Sequence, residues 1–226
     1  MAGDHHVVAI LFDIDGTLID TGGAGAVSWR MAFEDLYGIP ADIGRFSDAG
    51  MTDPEVGRRT FAAVVGHEPS TAELARVMAR RQEHLPQAIA DSPGYRVLPG
   101  VEQLLPALCD DGYLLGLTTG GTEAAAHVKL ARAKLNHYFH FGGYGSDSTD
   151  RGELTRAAVA RAETIHGAPL TREQVLVIGD TPLDIQAAHA AEATGVGVAS
   201  GHFTVEQLRE AGGDDVLASL EEPLPL

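Results

Sequence analysis

The sequence predicts an α/β protein: a doubly wound parallel sheet with an α-helical unit inserted after its first strand. Three observations carry this. Short, continuously apolar, β-branched runs recur along the chain, as expected for strands covered on both faces. From Gly100 onward, helix-patterned segments separate those runs. Between Gly22 and Gly94 that alternation stops, and only helical patterns remain.

Val7 to Phe12 reads as the first buried strand, closed abruptly by Asp13, Asp15 and Gly16. Ala24 to Tyr37, Pro54 to Val65 and Thr71 to Ile89 read as the helices of the insert. Asp53-Pro54 is a start signal for the middle one, with Asp53 as N-cap and proline in the first turn. Gly100 to Asp111 reads as a helix kinked at Pro106, and Tyr113 to Thr118 as the second core strand. Thr122 to Leu135 is the next helix, Phe139 to Gly143 a short strand and Glu153 to Ile165 another helix. Val175 to Ile178 is a strand ending in Gly179-Asp180, followed by a helix over Pro182 to Ala191 and a strand over Val196 to Ala199. This divides the chain into a core of residues 1–21 and 95–226 and an insert of residues 22–94. Gly22-Gly23 and Ser92-Pro93-Gly94 are the expected hinges, and the terminal EEPLPL is a tail, loose or docked.

The bulk numbers exclude several classes of function. With 226 residues and 44% hydrophobic content, the chain can bury a sizeable core. Lys+Arg number 16 against 32 Asp+Glu, a net charge of −16, which argues against nucleic acid and against an anionic membrane surface as partners. The leader MAGDHH has no basic residue and is a poor secretory signal. The one cysteine, Cys109, cannot form an internal disulfide, sits in an apolar helical pattern that predicts burial, and fits a reducing cytoplasm. Ten histidines show no metal-ligand spacing: His137 and His140 are expected to pack or face solvent, and His202 falls beside the proposed site. The sequence does not discriminate a monomer from a homodimer.

In open α/β sheets, ligands bind at the carboxyl ends of the strands. Asp13 and Asp15 follow the first strand, Thr118 and Thr119 end the second, and Asp180 follows Ile178, with Asp184 one helical turn beyond. An aspartate after a strand is often only a helix cap, as Asp180 before Thr181-Pro182 could be. Several on the ends of separate strands form a constellation instead. Carboxylates so placed repel one another and stay ionised together only around a cation. A few hard oxygen ligands with room for water and phosphate suit Mg²⁺.

At this point DIDGTL, residues 13–18, resembles the DxDGT signature of the haloacid dehalogenase superfamily of phosphohydrolases. LLGLTTGG (114–121) resembles its second motif and VIGDTPLD (177–184) its fourth, in the expected order. The likeness extends over about Val7 to Gly201 and is greatest to the phosphoglycolate-phosphatase-like branch with a helical cap. It implies a Rossmann-like core and a phosphomonoesterase acting on a small phosphorylated metabolite. Asp13 would be the nucleophile that forms an aspartyl-phosphate, and Asp15 the general acid and then base. Mg²⁺ would be held by the Asp13 and Asp180 side chains and the Asp15 backbone carbonyl, with Asp184 orienting metal-bound water and Thr17 in support. Thr119 and the backbone N–H groups of Gly120 and Gly121 would hold the phosphoryl oxygens.

One departure from the family pattern stands out. The third motif supplies a lysine, yet the only lysines, Lys129 and Lys134, lie on the helix after the second strand, too early in the chain. The expected place reads STDRGEL, so Arg151 is assigned to phosphate and nucleophile. The alternative is a surface arginine, but a cation at a helix start opposes the helix dipole. In the insert, AGMTDPE (49–55) resembles a cap segment of the same branch, which makes Thr52 and Asp53 candidate specificity residues, with helix capping as the alternative. Arg45, Arg58 and Arg59 could bind an acidic substrate tail, with exposed, solvated arginines as the default reading.

Within the family, Asp15 argues against a dehalogenase, and the lack of any lysine before Lys129 against a Schiff-base phosphonate hydrolase. A β-phosphoglucomutase-like sugar-phosphate mutase shares the nucleophile and cap, but Thr17 tilts toward hydrolysis. Outside the family, a phospho-aspartate receiver is much shorter and carries its aspartate on a later strand. A non-catalytic binding relative should have lost Asp13 or Asp15.

Overall fold

The structure, a computed structural model, describes residues 6–226. Most of the MAGDHH leader lies outside the described residues. Strand β1 (Ala9–Phe12) is followed by β2 (Ile19–Thr21). Helices α1 (Ala24–Tyr37), α2 (Asp53–Val65) and α3 (Thr71–Asp91) come next, then β3 (Tyr95–Val97). The remainder alternates: α4 (Val101–Asp110), β4 (Leu114–Thr119), α5 (Glu123–Ala131), β5 (Phe141–Tyr144), α6 (Arg151–His166), β6 (Val175–Gly179). It ends with α7 (Pro182–Ala190), β7 (Thr194–Val198), α8 (Val205–Glu210) and β8 (Asp215–Leu217).

Six strands form one parallel sheet in the order β5-β4-β1-β6-β7-β8. Every residue of β1 is buried, and its alternation serves two helical layers. Ile10 and Phe12 join Val101, Leu105 and Leu108 of α4 and Ala126 and Leu130 of α5. Ala9 and Leu11 join Ala158 and Ala162 of α6 and Ala188 of α7. A strand covered on both faces has no polar positions, hence the unbroken apolar run. The C-terminal tail is docked, with Leu220 and Leu224 in the first of these cores.

Strand β1 lies between β4 and β6. After β1 the chain builds outward through β4 and β5, then returns to the other side of β1 with β6. That reversal opens a crevice at the carboxyl end of β1, the position where open α/β sheets take ligands.

The helices of the insert pack on one another around Trp29, Phe33, Val56, Phe61 and Val77. Helix α3 starts with a capping box between Ser70 and Glu73. The two connections to the insert are not free linkers: β2 and β3 pair antiparallel, with Ile19 opposite Val97 and Thr21 opposite Tyr95. Ser92 Oγ donates to the Thr21 carbonyl at 2.8 Å, and Arg132 of α5 donates to the carbonyls of Ile89 and Ser92. The proposed hinge segments therefore lie side by side at the root of this ribbon.

Several expectations need correcting. Asp53 is not the N-cap of α2; Thr52 holds that position, and Asp53 is the first helical residue. Helix α5 stops at Ala131 rather than Leu135, and Lys134 turns left-handed at φ 58° just beyond it. Cys109 is exposed, because Leu105 and Leu108 take the inward face of α4. Strands β2, β3 and β8 and helix α8 were not expected; each is too short to show a period in the sequence.

Candidate active site

The parallel register brings the carboxyl ends of three strands together. Phe12 is level with Leu117 of β4 and Ile178 of β6, so Asp13 stands one residue past that level and Thr119 and Asp180 two, all at the same edge of the sheet. The Asp13 N–H donates to the Ile178 carbonyl at 2.8 Å, tying Asp13 to the β6 end. Immediately beyond, the chain turns at Gly16, whose φ of +86° suits glycine and whose missing Cβ leaves room for the Asp180 carboxylate. These side chains line a cleft of about 540 Å³ between the sheet and the insert, together with Asp15, Gly120, Gly121, Lys129, Arg151 and Asp53.

Asp13, Asp180 and Asp184 are buried and bring carboxylate oxygens within 4.8 Å of one another. Burial comes first in raising Asp13 well above the ordinary carboxylate range; the charge of Asp184 adds to it, Arg151 opposes it, and Asp180 and Asp15 contribute further. Asp180 is pushed up to about 7, first by burial and then by Asp184. Such a buried carboxylate cluster, only partly offset by Arg151, could hold a hard divalent cation. Asp180 is spared for this because Thr181, not Asp180, caps α7 in a box with Asp184. Thr17 Oγ1 lies 3.5 Å from Asp180 Oδ1.

Arg151 begins α6, capped by Asp150, and its side chain is only 9% exposed. Its Nη2 lies 3.4 Å from Asp13 Oδ1 and also binds Asp184 Oδ1, while Nη1 donates to the Gly50 carbonyl of the insert at 2.9 Å. Burial works against the guanidinium charge, but Asp184 and Asp13 outweigh it and raise its pKa above the ordinary value. Opposite, the Gly121 N–H donates to Thr119 Oγ1 at 3.2 Å. Gly120 touches the insert so closely that a Cβ there would stand 2.5 Å from the Met51 carbonyl oxygen. Gly120 and Gly121 thus leave a side-chain-free floor beside Thr119.

Lys129, dismissed on sequence as too early, is in the site. It reaches across from α5, and its Nζ lies 2.5 Å from Asp15 Oδ2, with a side chain only 7% exposed. The sequence did hold a signal: a lone lysine on the same helical face as buried Ala125 and Ala126. The Asp15 carboxylate is thus paired with Lys129, while still close enough for its charge to act on Asp13 and Asp180.

The insert residues divide. Thr52 is buried, with its hydroxyl 3.4 Å from the Thr149 carbonyl. Asp53 lines the cleft, but its carboxylate is engaged by the Arg81 guanidinium at 2.9 Å and by the Thr122 N–H at 3.2 Å. Arg58 and Arg59 pair with Glu55, and Arg45 with Asp42, none of them lining the cleft. His202 lines the cleft, whereas His137 and His140 are exposed elsewhere.

Comparisons with known proteins place the chain in a family. The family model "Hydrolase: haloacid dehalogenase-like hydrolase" matches residues 7–192. The chain belongs to this family. It is an enzyme of the hydrolase class. It is 31% identical over 226 residues to the Dickeya dadantii protein named "Probable phosphatase IndB", covering 94% of this chain and 90% of that one. It is 26% identical over 234 residues to the phosphoglycolate phosphatase of Escherichia coli O157:H7, covering 96% and 90%. Among solved structures, a hydrolase from Pseudomonas syringae superposes with a TM-score of 0.71 at 25% identity, over 94% of each chain. Among the described residues, no helix is long and apolar enough to cross a membrane.

Proposed function

We propose that this chain is a Mg²⁺-dependent phosphomonoesterase, phosphoglycolate-phosphatase-like, acting on a small phosphorylated metabolite through an aspartyl-phosphate at Asp13. The observation that carries this is the meeting of the Asp13, Asp180 and Asp184 carboxylates, with Arg151 bound to two of them and Thr119 lining the same cleft. Asp13 and Asp180, with the Asp15 backbone carbonyl, would hold Mg²⁺, and Asp184 would orient its water. The ion would neutralise the carboxylates and the equatorial phosphoryl oxygens.

In this proposal an Asp13 carboxylate oxygen attacks phosphorus and the ester P–O bond breaks. Asp15 gives its proton to the departing oxygen. Asp15 then takes a proton from water, whose oxygen attacks the aspartyl-phosphate, releasing inorganic phosphate and restoring Asp13. Arg151 and the Thr119 hydroxyl steady the phosphoryl oxygens, aided by the N–H groups of Gly120 and Gly121. Residues 22–94 act as a cap over residues of the core, with Thr52 and Asp53 at the closing edge and water excluded beneath. The compartment we assign is the cytoplasm, from the single cysteine.

The test is phosphate release from a panel of small phosphomonoesters, with Mg²⁺ and with EDTA, for the wild type and Asp13→Asn. Mg²⁺-dependent release that Asp13→Asn abolishes, in a variant that melts like the wild type, is the expected result. An Asp13→Asn variant within a few-fold of wild type would falsify the nucleophile. Interconversion of sugar phosphates without net phosphate release would make the chain a mutase.

A further inference from the structure

The cleft holds a cation that the proposed chemistry leaves unused. Arg151 is committed to Asp13, Asp184 and the Gly50 carbonyl. Arg96 is committed to Asp20 at the exposed rim, and Arg81 to Asp53. Lys129 is different. Its ammonium is almost fully buried, and among the described residues its one acceptor is Asp15 Oδ2. Two of its three N–H bonds therefore point to no protein acceptor.

Its position is not a matter of side-chain freedom. The Tyr95 hydroxyl donates to the Lys129 carbonyl at 2.7 Å, and the next turn of α5 is clamped by Arg132, which binds the carbonyls of Ile89 and Ser92 and stacks over Tyr95. The ammonium is also next to the phosphate floor. A Cβ on Gly121 would stand 3.8 Å from Lys129 Nζ, 3.6 Å from Thr119 Oγ1 and 3.6 Å from Asp53 Oδ2, a carboxylate oxygen already held by Arg81 and the Thr122 N–H. Because Gly121 has no side chain, the space between the ammonium and that floor is open to a ligand.

We infer that Lys129 is a specificity residue that binds an acidic substituent on the alcohol half of the ester. The inference rests on the phosphatase proposal, in which Asp15 addresses the departing ester oxygen. A group held 2.5 Å from the Asp15 carboxylate is within reach of atoms one or two bonds from that oxygen. A carboxylate there completes the coordination of the ammonium by a charge-assisted hydrogen bond. A neutral substituent leaves those donors unmet, and an ammonium substituent is repelled.

The experiment compares kcat/KM for 2-phosphoglycolate, 2-hydroxyethyl phosphate and 2-aminoethyl phosphate, esters of similar size whose distal group is a carboxylate, a hydroxyl and an ammonium. For the wild type we expect the acidic ester to exceed the neutral one about tenfold or more, with the cationic ester last, the discrimination of one charge-assisted hydrogen bond. Lys129→Met should lower kcat/KM for the acidic ester at least about tenfold more than for the neutral one, mainly through KM. Lys129→Arg should keep the order. Equal rates on all three esters by the wild type, or an equal loss on all three in Lys129→Met, would overturn the role of Lys129 and leave the phosphatase proposal standing. If Lys129→Met does not fold, the wild-type series decides alone. No hydrolysis of any phosphomonoester would overturn the phosphatase proposal itself, and the role of Lys129 with it.

Discussion

Arg151 Nη2 lies 3.4 Å from Asp13 Oδ1 although the two residues are 138 positions apart in the chain. The same guanidinium binds Asp184 and the Gly50 carbonyl. It therefore links the end of β1 and the first turn of α7 to the insert, while holding positive charge beside the proposed nucleophile. Arg151→Met should lower kcat/KM by about a hundredfold or more, the usual consequence of losing a donor aimed at developing charge. Arg151→Lys keeps the charge but cannot span all three partners, so it should fall between. Steady-state phosphate release by both variants checks this; wild-type activity in Arg151→Met would remove the residue from the site.

The acidic cluster makes stability depend on pH and on the metal. Burial and Asp184 push Asp180 up to about 7, from an ordinary value of 3.8, and Asp13 is raised too. A carboxylate raised in this way binds its proton more tightly in the folded chain than in the unfolded one. The stability it lends is full below the unfolded value and is lost as pH rises through the folded one. Metal-free protein should therefore lose on the order of a few kcal/mol between about pH 4 and about pH 8. Mg²⁺ should restore it, raising Tm more at about pH 8 than at about pH 5. Calorimetric melts with and without Mg²⁺ test this. A Tm that ignores Mg²⁺ at both ends of the range would argue that the cluster holds no cation.

The Asp53–Arg81 pair ties α2 to α3 within the insert, and Asp53 also reaches the core at Thr122. Arg81 is 2% exposed and lies 5.4 Å from the centre of the Trp29 ring, while Asp53 accepts the Thr122 N–H at the start of α5. Arg81→Met strands a buried carboxylate and should cost about 3–5 kcal/mol. Arg81→Met combined with Asp53→Asn removes both charges and should recover much of that loss. Urea unfolding of the two variants measures the difference. Equal destabilisation in single and double variants would mean that the pair's charge is immaterial and only its packing counts.

Much of this molecule was legible before its structure. The runs at β1, β4 and β6 are apolar throughout because each is covered on both faces, and their ends carry Asp13, Thr119 and Asp180 because a parallel sheet places strand ends at one edge. Helix α1 was readable to the residue, over Ala24–Tyr37. Arg151 was singled out because it stands where the family resemblance places the third-motif lysine, and a cation at a helix start, against the dipole, suggests another partner.

The sequence by itself determined the order of the elements, the identity of the carboxylates and the presence of an insert, since all three follow from local periodicity and from spacing along one chain. Only the tertiary structure decided what crosses between distant segments. The β2–β3 ribbon is two strands of three residues, separated by the whole insert, and neither has a period of its own. Asp53 looked like a helix cap because capping is a local interaction, yet its partners Arg81 and Thr122 come from other helices. Lys129 looked misplaced because chain order was taken for proximity. Packing α5 against β3 carries its ammonium to Asp15, 114 positions away, and that distance is set by the meeting of two faces rather than by any pattern in the string.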